Sequence, residues 1–154
     1  MKQTLTATSL IMLFLLSLTS PLGATLAEPE QMRTAGRSTA CTGFVCINEV
    51  IPNPNGYDDA TYPGGEWLEL YNSGTTDVDL TGWKVTNTAS QNLEFNSTTI
   101  VGYQSGNAST WTISPGEYVV IARNGISGFY MTNTGMSMTL VDSTNNNLHQ
   151  ATWG

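Results

Sequence analysis

Histidine, cysteine and carboxylate side chains are the groups that could do chemistry here, and they are few. His149 is the single histidine, so a Ser–His–Asp site would have to be built around it. It stands in a polar stretch beside Gln150, near the C-terminus, and reads as an exposed residue at a strand start rather than a general base. A structural or catalytic zinc needs several thiolate, imidazole or carboxylate ligands, more than one histidine and a pair of bonded cysteines supply. In a secreted chain with only two cysteines the default is a disulfide between Cys41 and Cys46. The spacing is not the Cys-x-x-Cys of a redox pair. Fully extended, the two Cα atoms would lie about 16 Å apart, against roughly 4.4–6.8 Å in a bridge, so a turn is required and Gly43 permits it. So small a ring contributes roughly 2 kcal/mol of stability.

The carboxylates of the first half are Glu49, Asp58, Asp59, Glu66 and Glu69. Asp58 and Asp59 sit in the stretch 52–65, with Glu66 opening the next strand, and these three are weak candidates for a calcium site. No Asp-x-Asp-x-Asp loop occurs, and the plainer reading is solvated loop and strand-face charge. No metal or cofactor is therefore assigned, calcium alone being left open. No pair of acids has the spacing of a hydrolase, so the chain reads as non-catalytic. The same stretch gathers Tyr57 and Tyr62 beside Asp58 and Asp59. Tyrosine gives rigid contact area with a hydrogen-bonding tip, and loops on a stiff scaffold commonly carry recognition, so these four are the candidate binding residues. Of the four tryptophans, Trp83 reads as core and Trp67 falls on the opposite parity from Leu68 and Leu70. Trp111 lies in a Ser/Thr/Asn-rich stretch, 96–112, that also holds the glycosylation sequons at Asn96 and Asn107 and reads as a surface loop or edge region.

The elements that must position these residues are short strands. Val45 to Ile51 forms a first strand, closed by Pro52-Asn53-Pro54-Asn55-Gly56. Glu66 to Tyr71 alternates with period two, as do Trp83 to Thr86, Asn92 to Phe95 and Glu117 to Ala122. Ser114-Pro115-Gly116 before the last of these suits a type II turn. Met138 to Val141 and Gln150 to Trp153 supply two more strands, joined by a polar turn. Short strands at intervals of roughly ten residues, with no helical window, indicate an all-β sandwich or barrel.

The N-terminal stretch is an address. Lys2 precedes the apolar run Leu10 to Leu18, Pro21 and Gly23 break it, and Thr25-Leu26-Ala27 offers small residues for cleavage before Glu28. That order is a signal peptide over 1–27, followed by a flexible linker over 28–44 and a β domain over 45–154. The run falls short of the ~20 apolar residues needed to span a bilayer. No membrane insertion is expected once it is removed. With 11% charged residues, five Lys plus Arg and a net charge of −7, nucleic acid and anionic membrane surfaces are poor partners. An aromatic fraction of 9% is too high for a disordered chain.

The order Ile47-Asn48-Glu49-Val50, Gly65-Glu66-Trp67-Leu68-Glu69-Leu70-Tyr71-Asn72, Val78-Asp79-Leu80-Thr81-Gly82-Trp83 and Ser114-Pro115-Gly116 resembles the lamin tail domain. Thr132 to Leu140 looks like that family's Asn-Gly turn before its penultimate strand. The resemblance spans about residues 45–154 and implies an immunoglobulin-like β-sandwich of short, mostly antiparallel strands. It also implies a binding or scaffolding role, and similar domains occur in secreted prokaryotic proteins, often beside an enzyme domain. The nuclear setting does not transfer, because a signal peptide stands where a coiled-coil rod would be. A secreted, non-catalytic module at the cell surface or outside the cell, engaging an extracellular protein or envelope component, is the reading that follows. Its rivals are a structural subunit of an envelope layer or fibre, and an accessory fragment of a larger secreted enzyme.

Overall fold

The computed structural model of the chain describes residues 37, 38, 40–42, 44–103 and 111–154. Its strands are β1 (Arg37–Ser38), β2 (Val45–Ile51), β3 (Trp67–Asn72), β4 (Val78–Asp79), β5 (Lys84–Asn87), β6 (Asn92–Glu94), β7 (Ile100–Tyr103), β8 (Thr112–Ile113), β9 (Tyr118–Ala122), β10 (Met136–Val141) and β11 (Asn147–Trp153). None of the described residues is helical. Every strand pair is antiparallel. The five-stranded sheet runs β1-β11-β10-β5-β6, the four-stranded sheet β2-β3-β9-β7, and β4 with β8 makes a small ribbon. This is the immunoglobulin-like β-sandwich that the alternating pattern and the resemblance lead one to expect.

Period-two alternation is what assigns the inner faces. In β3, Leu68 and Leu70 are wholly buried while Trp67, Glu69 and Tyr71 are half-buried, and Val85 of β5 is buried between Lys84 and Thr86. Leu68, Leu70, Val119 and Ile121 from one sheet meet Val85, Leu93, Met138 and Leu140 from the other in a single cluster. Each such side chain contributes about 1.5–3 kcal/mol by leaving water. Trp83 is 8% exposed and belongs to the same cluster, as does Trp153.

The turns follow their residues. Glu117 N–H donates to Ser114 O at 3.1 Å, and Gly116 between them has φ +77°, the type II geometry read from Pro115-Gly116. The Cys41–Cys46 disulfide is formed, with Cα atoms 5.8 Å apart, and ties the segment before β2 to that strand's start. Gly43, which was to permit the turn, lies outside the described residues. In the β10–β11 turn the Asp142 carboxylate accepts from the N–H groups of Thr144 and Asn146. Those bonds hold its pKa down at about 2.

One expectation is corrected. His149 is not exposed but 5% accessible, because β11 begins at Asn147, and His149 shares the inward parity of Ala151 and Trp153. Its Nδ1 accepts from Ile47 N–H at 3.2 Å across the two sheets. The stretch 96–112 supplies β7 at the border of the four-stranded sheet, an edge region as its composition suggests, with Thr99 inside it fully buried; Ile113 just beyond is fully buried too. Ile113 pairs with Val78 in the β4–β8 ribbon. β1 lies in the stretch read as linker and pairs with β11 through Arg37 and Ser38.

Candidate binding site

Ile51, Trp67 and Ala122 stand side by side in register, so the β2–β3 loop and the segment after β9 leave one end of the four-stranded sheet together. The loop 52–65 is folded on itself. Gly56 N–H donates to Gly64 O at 3.0 Å, Ala60 N–H to Tyr57 O at 2.8 Å and Gly64 N–H to Thr61 O at 2.9 Å. A Cβ on Gly65 would overlap the Ala60 carbonyl, and one on Gly56 would overlap that of Gly64, so this compaction requires glycine at both.

Glu66 joins the loop to the β9–β10 segment. Its N–H donates to Asp58 O at 2.8 Å. Its Oε1 accepts from Met131 N–H at 2.9 Å, and its Oε2 meets Arg123 Nη1 at 3.0 Å. The Glu66 side chain is wholly buried and that of Arg123 is 11% exposed. Arg123 Nε in turn donates to Ile126 O at 2.7 Å. Burial pushes the Glu66 carboxyl up to about 7, against the opposing pull of the Met131 N–H and the Arg123 guanidinium. Asn124 is a second stitch, accepting Tyr62 N–H at 3.0 Å and donating to Thr98 O at 2.8 Å.

Glu66 is therefore a fastening and not a solvated charge or an open metal ligand. Asp58 and Asp59 are exposed, while both Glu66 oxygens face Met131 and Arg123. Among the described residues no group of three or more His, Cys, Asp and Glu side chains could hold a metal ion. Of the candidate binding residues, Tyr57 is 85% exposed, whereas Tyr62 is half-buried with its ring edge-on to Trp67 at 5.8 Å. Asn96 is half-buried, its Oδ1 accepting from Thr98 N–H, and Asn107 lies outside the described residues.

Sequence reasoning missed Tyr130. It is 38% exposed, and with Tyr57 it is the exposed large apolar side chain among the described residues. The signal was there: Phe129 and Met131 are buried on either side of it, so the alternation turns Tyr130 outward. Asp58 O and Met131 N–H, each bonded to Glu66, sit one residue from Tyr57 and Tyr130. One residue thus fixes the backbone under both exposed rings, through its own N–H on the Tyr57 side and its buried carboxylate on the Tyr130 side.

Residues 38–154 match the family model of the lamin tail domain. The chain belongs to the lamin tail domain family. No curated protein matches it. Among solved structures it is similar to the archaellum periplasmic stator protein FlaG from Sulfolobus acidocaldarius. That similarity has 16% identity and a TM-score of 0.38, over 75% of this chain and 99% of the other. Membership in the family supports a non-catalytic module, and the Cys41–Cys46 bridge is characteristic of an oxidising compartment. In this lamin tail domain Glu66 bonds both tyrosine-bearing segments, those of Tyr57 and Tyr130.

Proposed function

We propose that this lamin tail domain is a secreted binding module that engages an extracellular protein or envelope component through the β2–β3 loop and the β9–β10 segment. The observation that carries the reading is the exposure of Tyr57 and Tyr130 on segments both bonded to Glu66, one through its backbone N–H and the other through its buried carboxylate. An aromatic ring held out on a pre-ordered backbone loses little conformational entropy on binding, which is what a recognition loop requires. Asp58 and Asp59 add exposed negative charge beside Tyr57 and favour a partner that presents lysine or arginine. Secretion is supported by the order of residues in 1–27 and by the disulfide.

The test replaces Tyr57, Asp58, Asp59 and Tyr130 with serine, leaving the half-buried Tyr62 in place. Melting temperature should be unchanged, and capture of envelope proteins from native extract should fall at least about tenfold, as for loss of an aromatic hot spot. Calorimetric titration of calcium into the same pair of proteins checks the Asp58 and Asp59 oxygens. Equal capture by the folded variant removes these segments from the site.

A further inference from the structure

The outer face of the five-stranded sheet carries a second, chemically different surface. Register sets Gln150, Thr139, Thr86 and Asn92 in one row across β11, β10, β5 and β6. Ser137 and Thr152 pair in the next row, their hydroxyls 2.8 Å apart. Here the face forms an open groove of about 350 Å³, lined among others by Lys84, Thr86, Asn92, Thr139, Asn145 and Asn147. That volume falls at the lower end of the roughly 300–1,000 Å³ of small-molecule sites.

Lys84 is the one charged side chain among the described residues lining this groove. Its Nζ donates to the neutral Asn145 Oδ1 at 3.1 Å, and no described carboxylate stands within ion-pair distance of it. Arg123, by contrast, is committed to Glu66. Glu94 stands opposite Lys84 in the β5–β6 register, but the ammonium bonds Asn145 on the β10 side and Glu94 does not line the groove. The Thr139 hydroxyl has no hydrogen-bond partner among the described residues. Hydroxyls both donate and accept, carboxamides do so through separate atoms, and an ammonium only donates. Such a set matches a ligand that presents many hydroxyls and one anionic group. No described aromatic ring lines the groove, so stacking plays no part and the contacts are ionic and hydrogen-bonded.

We infer that the groove over β5, β6 and β10 binds an acidic saccharide of the uronic-acid type, with its carboxylate on Lys84 and its hydroxyls on the threonine and asparagine side chains. The inference is independent of the loop reading, since the two surfaces share no residue. It is tested by following backbone amide NMR shifts of the mature domain during titration with a short oligogalacturonide. A glucose oligosaccharide of the same length and inorganic phosphate serve as comparisons. Saturable shifts confined to β5, β6, β10 and the β10–β11 turn are expected. Binding should weaken with added salt, and by roughly tenfold in Lys84→Met, the loss of one charge-assisted hydrogen bond. The salt dependence and the neutral comparison need no variant, so a Lys84→Met protein that failed to fold would not protect the idea. Absence of saturable shifts, shifts located in 52–65, equal binding of the neutral oligosaccharide, or the same shifts from phosphate alone would each overturn it.

Discussion

Protonation of Glu66 should leave a measurable imprint on stability. In the unfolded chain its carboxyl titrates near 4.5, and in the native state burial lifts it to about 7. Between those values the native state holds a proton that the unfolded state has released. Stability from this group is therefore fully present below about pH 4.5, declines as pH rises and levels off above about pH 7. A difference of that size corresponds to a decline on the order of 3 kcal/mol across the window. Other carboxylates tilt the opposite way, Asp142 and Asp79 being held low by hydrogen bonds from their own turns. The difference between wild type and Glu66→Gln isolates the effect. The substituted carboxamide keeps an acceptor for Met131 N–H but cannot titrate, so the variant should lack the decline that Glu66 adds. Urea unfolding followed by tryptophan fluorescence at intervals from pH 4.5 to 7.5, with linear extrapolation to water, supplies both curves. Parallel curves for the two proteins would refute the assignment of this pH dependence to Glu66. Glu66→Ala is a harsher change, leaving Arg123 and Met131 N–H without their partner, and should cost about 3–5 kcal/mol at neutral pH.

Trp83→Ala should cost roughly 3–5 kcal/mol in the same assay, given its place in the core, and a loss below about 1 kcal/mol would contradict that packing. Replacing Cys41 and Cys46 together with serine should lower stability by roughly 2 kcal/mol, and alkylation of the denatured, unreduced wild type should add no mass. N-terminal sequencing of exported protein should begin at Glu28, and material starting at Met1 would end the signal-peptide reading.

What could be read from residues alone was governed by period and punctuation. Val45 to Ile51 was legible to the residue because Pro52 stops it and its apolar content is high. Trp83 was legible because Leu80 and Val85 share its burial. β7 was hidden by Gly102 and by the hydroxyl-rich sequence around it, and its edge position, paired with β9 alone, relaxes the demand for alternation. β8 was too short to show a period. The Glu66–Arg123 pair could not be seen, because its members are 57 residues apart and meet only through the β3–β9 register. The β2–β3 loop was recognisable from its composition, and Tyr57 emerges as its exposed ring. Tyr62 does not, since its packing against Trp67 depends on a fold inside the loop that composition does not encode.

The imidazole of His149 also bears on how copies of this domain meet one another. β2 is the border strand of its sheet, and a border strand with free N–H groups invites a neighbouring chain to extend the sheet. Here the Ile47 N–H is taken by a side chain from the opposite sheet, and the pairing with β3 shifts register between Ile47 and Glu49. A stranger's backbone would have to displace the ring and straighten the irregularity before it could bond there. At Ile47 the β2 margin is thus blocked against edge-to-edge sheet growth by a plug drawn from within the molecule. A filament built from this domain by strand addition would have to grow at another border, β1, β6, β7 or the small β4–β8 ribbon.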